Sequence, residues 1–180
     1  MRRLFAAVLL LAALAGCSAE PAEPPPPAFN ATDVMFLQMS IDYIGQGDQV
    51  VALAERRAAD PRVRALAVEL RGQWQGEAET MRRWLTGWQQ APSADPAAGA
   101  HAGHGELHSL RPADLAELTA AKGADFDRTA VSLLLGHLHN CVEVTRMEAT
   151  GGQSPPAKAL AETMTRQRQG QIQRMLALAA

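Results

Sequence analysis

Aromatic residues and cysteine are scarce in this sequence: of its 180 residues, four are Phe, three Trp, one Tyr and two Cys. So few flat rings cannot build a stacking platform for single-stranded nucleic acid. No basic face compensates, because the formal net charge is −2. The two cysteines, Cys17 and Cys141, are too few for a disulfide framework. β-Branched residues are sparse beside alanine, leucine, arginine and glutamine, which disfavours sheet and favours helix throughout. Long apolar runs are also missing. The stretch from Leu4 to Leu14 is too short for a stable membrane span, and charge interrupts every later run within a few residues. The chain contains no Glu-x-x-His pair of a di-metal oxidase, no His-Glu-x-x-His zinc motif, no Gly-x-Ser-x-Gly elbow and no phosphate loop. These absences point away from an enzyme.

What the chain does have begins at its first residue. Met1-Arg2-Arg3 is a short positive head, Leu4 to Leu14 an apolar core, and Leu14-Ala15-Gly16-Cys17 places small residues directly before a cysteine. This is signal-peptide anatomy ending in a segment that resembles the lipobox of bacterial lipoproteins. Residues 1–16 are therefore expected to be removed, and Cys17 to carry acyl chains that anchor the protein to a membrane of the cell envelope, facing outside the cytoplasm. Each buried methylene contributes about 0.8 kcal/mol, so several chains on one residue anchor stably without a transmembrane helix. Residues 17–30 include SAEPAEPPPPA, too rich in proline to fold, and read as a tether. Without Arg2 and Arg3, the 17 basic residues fall to 15 against 19 acidic ones, a balance of −4. If Cys17 is lipidated, Cys141 is left as a lone thiol, either buried or reactive.

Residues 31–180 read as one helical domain. Thr32-Asp33 can cap a helix carrying Val34, Leu37, Ile41, Ile44 and Val51 at three- and four-residue steps, with its end expected near Ala58. Asp60-Pro61 restarts the chain, and the apolar side of the second helix runs from Val63 to Trp88. A loop rich in Ala, Pro and Gly follows over 89–105. Pro112 then opens a short helix that Gly123 stops. Asp125-Phe126-Asp127 is expected to open a third long helix ending before Gly151-Gly152, and Ser154-Pro155 a fourth that reaches the C-terminus.

A displacement of 94 positions superposes Asp33 on Asp127, Pro61 on Pro155, Ala65-Leu66-Ala67 on Ala159-Leu160-Ala161, Gln75-Gly76 on Gln169-Gly170 and Met81 on Met175. One hairpin has been duplicated, giving repeats over 31–88 and 124–180 joined by a histidine-containing linker over 89–123. Two hairpins that each bury one face satisfy each other by packing together. The expected fold is an all-α, antiparallel four-helix bundle.

With the repeat laid out, the chain resembles the family of the domain of unknown function number 305. Its members carry a phenylalanine–aspartate helix start, a Met-Ile-Pro-His-His-x-Gly-Ala segment with an acidic residue soon after, and a second helix with alanine, glutamine, glutamate and methionine at fixed steps. The first copy here reads MFLQMSIDYIGQGDQVVALA, then DPRVRALAVELRGQWQGEAETMRRWL; the second reads FDRTAVSLLLGHLHNCVEV, then PPAKALAETMTRQRQGQIQRML. The resemblance implies a ferritin-like bundle, secreted or lipid-anchored, with copper or another metal held through His and Met in some members. The paired histidines are replaced by Tyr43 and Ile44 in the first copy. In the second, His137 keeps the first position, Leu138 takes the next and His139 comes one later. Glu143 and Glu77 match the acidic positions, whereas Gln49 and Gln171 have lost the charge.

Three groups of residues are candidates for chemistry. His101, His104 and His108 lie at steps of three and four in HAGHGELH, beside Glu106 as an oxygen donor. This segment reads either as a loop that wraps an ion or as a linker with incidental histidines. His137 and Cys141, four apart on one helical face, suit Cu(I) or Zn(II) as an imidazole and a thiolate, or form a buried histidine beside a small buried cysteine. His139 and Glu143, four apart on a polar flank, read as a solvated surface pair. The methionines are expected in the core, Trp74, Trp84 and Trp88 at one end of the bundle, and Gly76 and Gly170 at close helix contacts. Two functions compete: a lipid-anchored bundle that buffers or delivers copper, or less readily zinc, and a non-catalytic envelope interaction module with a decayed metal site.

Overall fold

The computed structural model describes residues 28–93 and 110–179. Cys17 and its tether, and the segment with His101, His104, Glu106 and His108, lie outside the described residues. The described chain forms helices α1 (Ala31–Arg57), α2 (Pro61–Gly87), α3 (Pro112–Ala120), α4 (Gly123–Gly151) and α5 (Pro155–Ala179). Strands are absent among the described residues.

Local chemistry sets each boundary. Asn30, not Thr32, caps α1: its side chain accepts from the Asp33 amide at 3.1 Å, while the Asp33 carboxylate accepts from the Asn30 amide at 2.6 Å. This reciprocal pair is a capping box, so Asp33 belongs to the first turn. Asp60 caps α2 by accepting from the Arg62 amide at 2.7 Å, with Pro61 where a missing N–H costs nothing. α2 ends with Gln89 at φ 57°, where the Gln90 amide donates to the Leu85 carbonyl at 2.8 Å. α4 starts at Gly123, two residues ahead of the expected Asp125, because Gly123 takes φ 54° and turns the chain out of α3.

α1 packs on α2, α4 on α5, and α1 on α4, with α3 laid across α4 and α1. The seam buries Phe36, Leu37, Leu70, Leu85, Phe126 and Leu138, each contributing roughly 1.5–3 kcal/mol by leaving water. Met39, Met81, Met164 and Met175 are buried in the same core. α2 and α5 keep their backbones apart and are bridged by long polar side chains.

The duplication is written into the hydrogen bonds. Asp127, at the start of α4, accepts from the Ala59 and Asp60 amides at 2.9 and 2.7 Å in the α1–α2 turn. Asp33, at the start of α1, accepts from the Gln153 and Ser154 amides at 3.1 and 2.9 Å in the α4–α5 turn. Both donors and acceptors are related by the displacement of 94, so each hairpin clamps the turn of the other.

Candidate functional site

Halfway along the bundle the apolar seam gives way to a polar layer. The same displacement pairs Tyr43 with His137, Gly47 with Cys141, Trp74 with Arg168 and Glu77 with Gln171. The fold brings these residues together. The His137 ring stands 5.6 Å from the Trp74 ring, edge-on, and 6.0 Å from that of Tyr43. Its Nε2 lies 3.6 Å from Cys141 Sγ. Gly47 permits this packing, because a Cβ there would sit 2.6 Å from both His137 Nε2 and Trp74 Cζ3.

On the far side of Trp74, Arg168 is fully buried and forks onto Glu77. Its Nη1 donates to Oε1 at 3.1 Å and its Nη2 to Oε2, and its guanidinium lies 5.7 Å from the Trp74 ring centre. A glutamine chain extends the layer: Gln171 donates to Gln73 at 2.7 Å, and Gln73 donates to Glu77 at 2.8 Å and Gln167 at 2.7 Å. Trp74 Nε1, Arg168 Nε and Gln171 Oε1 are buried without hydrogen-bond partners, which leaves polar capacity in this layer.

Burial, and then the Arg168 charge, lower the His137 pKa to about 4, so its imidazole is neutral at pH 7. Burial pushes the Cys141 thiol up to about 11; Arg168 opposes that rise and Glu77 adds to it. The pair thus rests as neutral imidazole and thiol, and a bound cation would displace the thiol proton.

The other candidates fall elsewhere. His139 is exposed, with Nδ1 donating to the Leu135 carbonyl at 2.7 Å, which leaves Nε2 open to solvent. Glu143 is exposed and pairs at 2.6 Å with Arg146. Trp74 lies in the polar layer, against the expectation that all three tryptophans close an end. Trp88, half-buried, does stack on Phe29 at 4.4 Å. Gly76 and Gly170 face open space, so neither serves a close helix contact; Gly47 does. Among the described residues no three His, Cys, Asp or Glu side chains converge to hold an ion. The described residues of the bundle contribute one nitrogen–sulfur pair.

Arg168 is the residue that sequence reasoning passed over. It sits on the buried stripe of α5 with Ala157, Ala161, Met164 and Met175. An arginine at an apolar register, 94 positions from a tryptophan, was the available signal.

Fold and polar layer define a ferritin-like four-helix bundle made from a duplicated hairpin. The chain belongs to the family of the domain of unknown function DUF305, whose model matches residues 33–179. Solved structures of similar fold include a DUF305 protein from Streptomyces coelicolor, with 19% identity, TM-score 0.75 and coverage of 82% of this chain and 91% of that one. A DUF305 fragment from Deinococcus radiodurans has 22% identity, TM-score 0.72 and coverage of 86% and 98%. CopM in its Cu(I)-bound form has 20% identity, TM-score 0.67 and coverage of 83% and 96%. No curated protein shows a significant match.

Proposed function

We propose that the protein is an extracytoplasmic, lipid-anchored copper-binding bundle that buffers or delivers the ion. The observation that carries this reading is the buried His137–Cys141 pair, an imidazole nitrogen 3.6 Å from a sulfur in the bundle's centre. Both are donors that copper prefers, and the thiolate selects Cu(I) over harder ions. The imidazole is already neutral, so binding there needs no histidine deprotonation. Similarity in fold to CopM, solved with Cu(I) and with Cu(II), supports the choice of metal. Zinc is the weaker candidate, because it takes four ligands and the described bundle brings together two.

His101, His104 and His108, with Glu106, would supply a second donor set. His137 is enclosed by Trp74, Tyr43, Gly47 and Cys141. The anchor rests on the residues before Cys17, and no described helix is long and apolar enough to cross a membrane.

Two experiments test these parts. Competition titration with Cu(I) on the domain beginning at Pro21 should show at least tenfold weaker binding at one site in Cys141→Ser, and at another in the combined His101→Ala, His104→Ala and His108→Ala variant. Unchanged binding in both would leave the interaction-module reading ahead. Cell fractionation of Cys17→Ser should move the protein out of the membrane fraction; a variant that is processed yet stays membrane-bound would overturn the anchor.

A further inference from the structure

The two turn clamps are equivalent by the repeat but differ in one buried acid. Beside Asp33 lies Glu148, on the last turn of α4, fully buried. Beside Asp127 the equivalent position, 94 earlier, is Ala54. The Glu148 carboxyl is folded back over Gly152, where an added Cβ would lie 2.2 Å from Oε1. Neither of its oxygens receives an N–H or O–H from the protein. Asp33 is the opposite case, its oxygens taken up by the amides of Asn30, Gln153 and Ser154.

We infer that Glu148 and Asp33 share one proton and make the joint between the start of α1 and the α4–α5 turn a pH-sensitive latch. Three backbone N–H groups converge on Asp33, so that group keeps the charge, and Glu148 carries the proton and donates it to Asp33. The same N–H groups would repel a cation, so a metal is a poor substitute for the proton. The charged groups facing the pair are Asp33 itself on α1 and Lys158 on α5. Burial, and then the bond and charge of Asp33, raise the Glu148 pKa to about 8, with Lys158 opposing. Asp33 stays below the usual carboxylate range: burial works against its charge, but the Asn30 amide, Glu148 and the two turn amides outweigh it.

In the closed joint Glu148 holds its proton up to about pH 8, while in an opened joint it ionises near its ordinary value of 4.5. The contribution of Glu148 to this joint is therefore complete below pH 4.5 and is lost as pH rises toward 8, whereas that of Asp33, whose pKa is lowered, is lost as pH falls below the usual carboxylate range. Ionised Glu148 would face ionised Asp33 across a buried contact and release the turn amides. Asn30 is tied to the Gly151 carbonyl at 2.9 Å and Phe29 to Trp88, so opening frees the end where the chain enters the bundle.

The molecule contains its own control. Amide hydrogen exchange, corrected for intrinsic rates, should show protection at Gln153 and Ser154 falling by nearly tenfold per pH unit between about pH 5 and 8, relative to Ala59 and Asp60. Glu148→Gln keeps a donor toward Asp33 but cannot ionise, and should abolish that difference. Parallel behaviour of the two joints in the wild type, or a difference that survives in Glu148→Gln, would overturn the latch. If the variant fails to fold, the wild-type comparison decides alone.

Discussion

Replacing Arg168 by Ala would leave the Glu77 carboxylate buried with its cation gone. Loss of one member of a buried ion pair costs about 3–5 kcal/mol, whereas replacing both by apolar groups of similar volume is often neutral. Urea unfolding of Arg168→Ala should therefore show a loss of that order, and Arg168→Met combined with Glu77→Met a much smaller one; equal losses would mean that the pair adds nothing as a pair. His137 gives the second residue-scale expectation. Its pKa is depressed to about 4 from 6.5, so its contribution to stability is present above pH 6.5 and lost as pH falls through 4. Imidazole NMR should show His137 titrating below pH 5, with His139 as a comparison on the same helix. Titration of His137 near 6.5 would contradict its enclosure by Trp74, Tyr43 and Gly47. Shared faces were legible at this scale, since a four-residue step put His137 beside Cys141. Their enclosure was not, because it depends on Gly47 and Trp74 arriving from other helices.

At the scale of the helices, each start was marked by its own chemistry and the stops were less so. Asp60-Pro61 announced α2 because both its cap and its missing N–H are local facts. The cap of α1 lies at Asn30, ahead of the expected Thr32-Asp33, and the three-residue step from Asn30 to Asp33 was a local signal for it; the bond of Asp33 to the Gln153 amide, 120 residues away, was not. The end of α2 carries a testable cost. Gln89 occupies the left-handed region at φ 57°, where a side chain costs about 1–2 kcal/mol and glycine does not. Gln89→Gly should raise the unfolding free energy by up to about 1 kcal/mol, since glycine's greater unfolded entropy takes back part of the gain. A loss of stability would mean that the Gln89 side chain makes a contribution of its own.

For the whole molecule, the repeat was the most informative signal, because a displacement of 94 predicts contacts as well as helices: the Asp33 and Asp127 clamps are one interaction used twice. Its breakdowns carry the functional content. Tyr43 opposite His137, Gly47 opposite Cys141, Trp74 opposite Arg168 and Ala54 opposite Glu148 turn a symmetric bundle into one with a single nitrogen–sulfur pair and a single carboxyl latch. Copper binding is the central claim, and stoichiometric titration of the domain beginning at Pro21 with Cu(I), against a chromophoric competitor at pH 7, tests it most directly. The account predicts saturable binding of at least one ion per chain, with proton release from Cys141 and a sulfur ligand in the copper X-ray absorption spectrum. Absence of saturable binding, or a bound ion with no sulfur neighbour whose affinity is unchanged in Cys141→Ser, would contradict it.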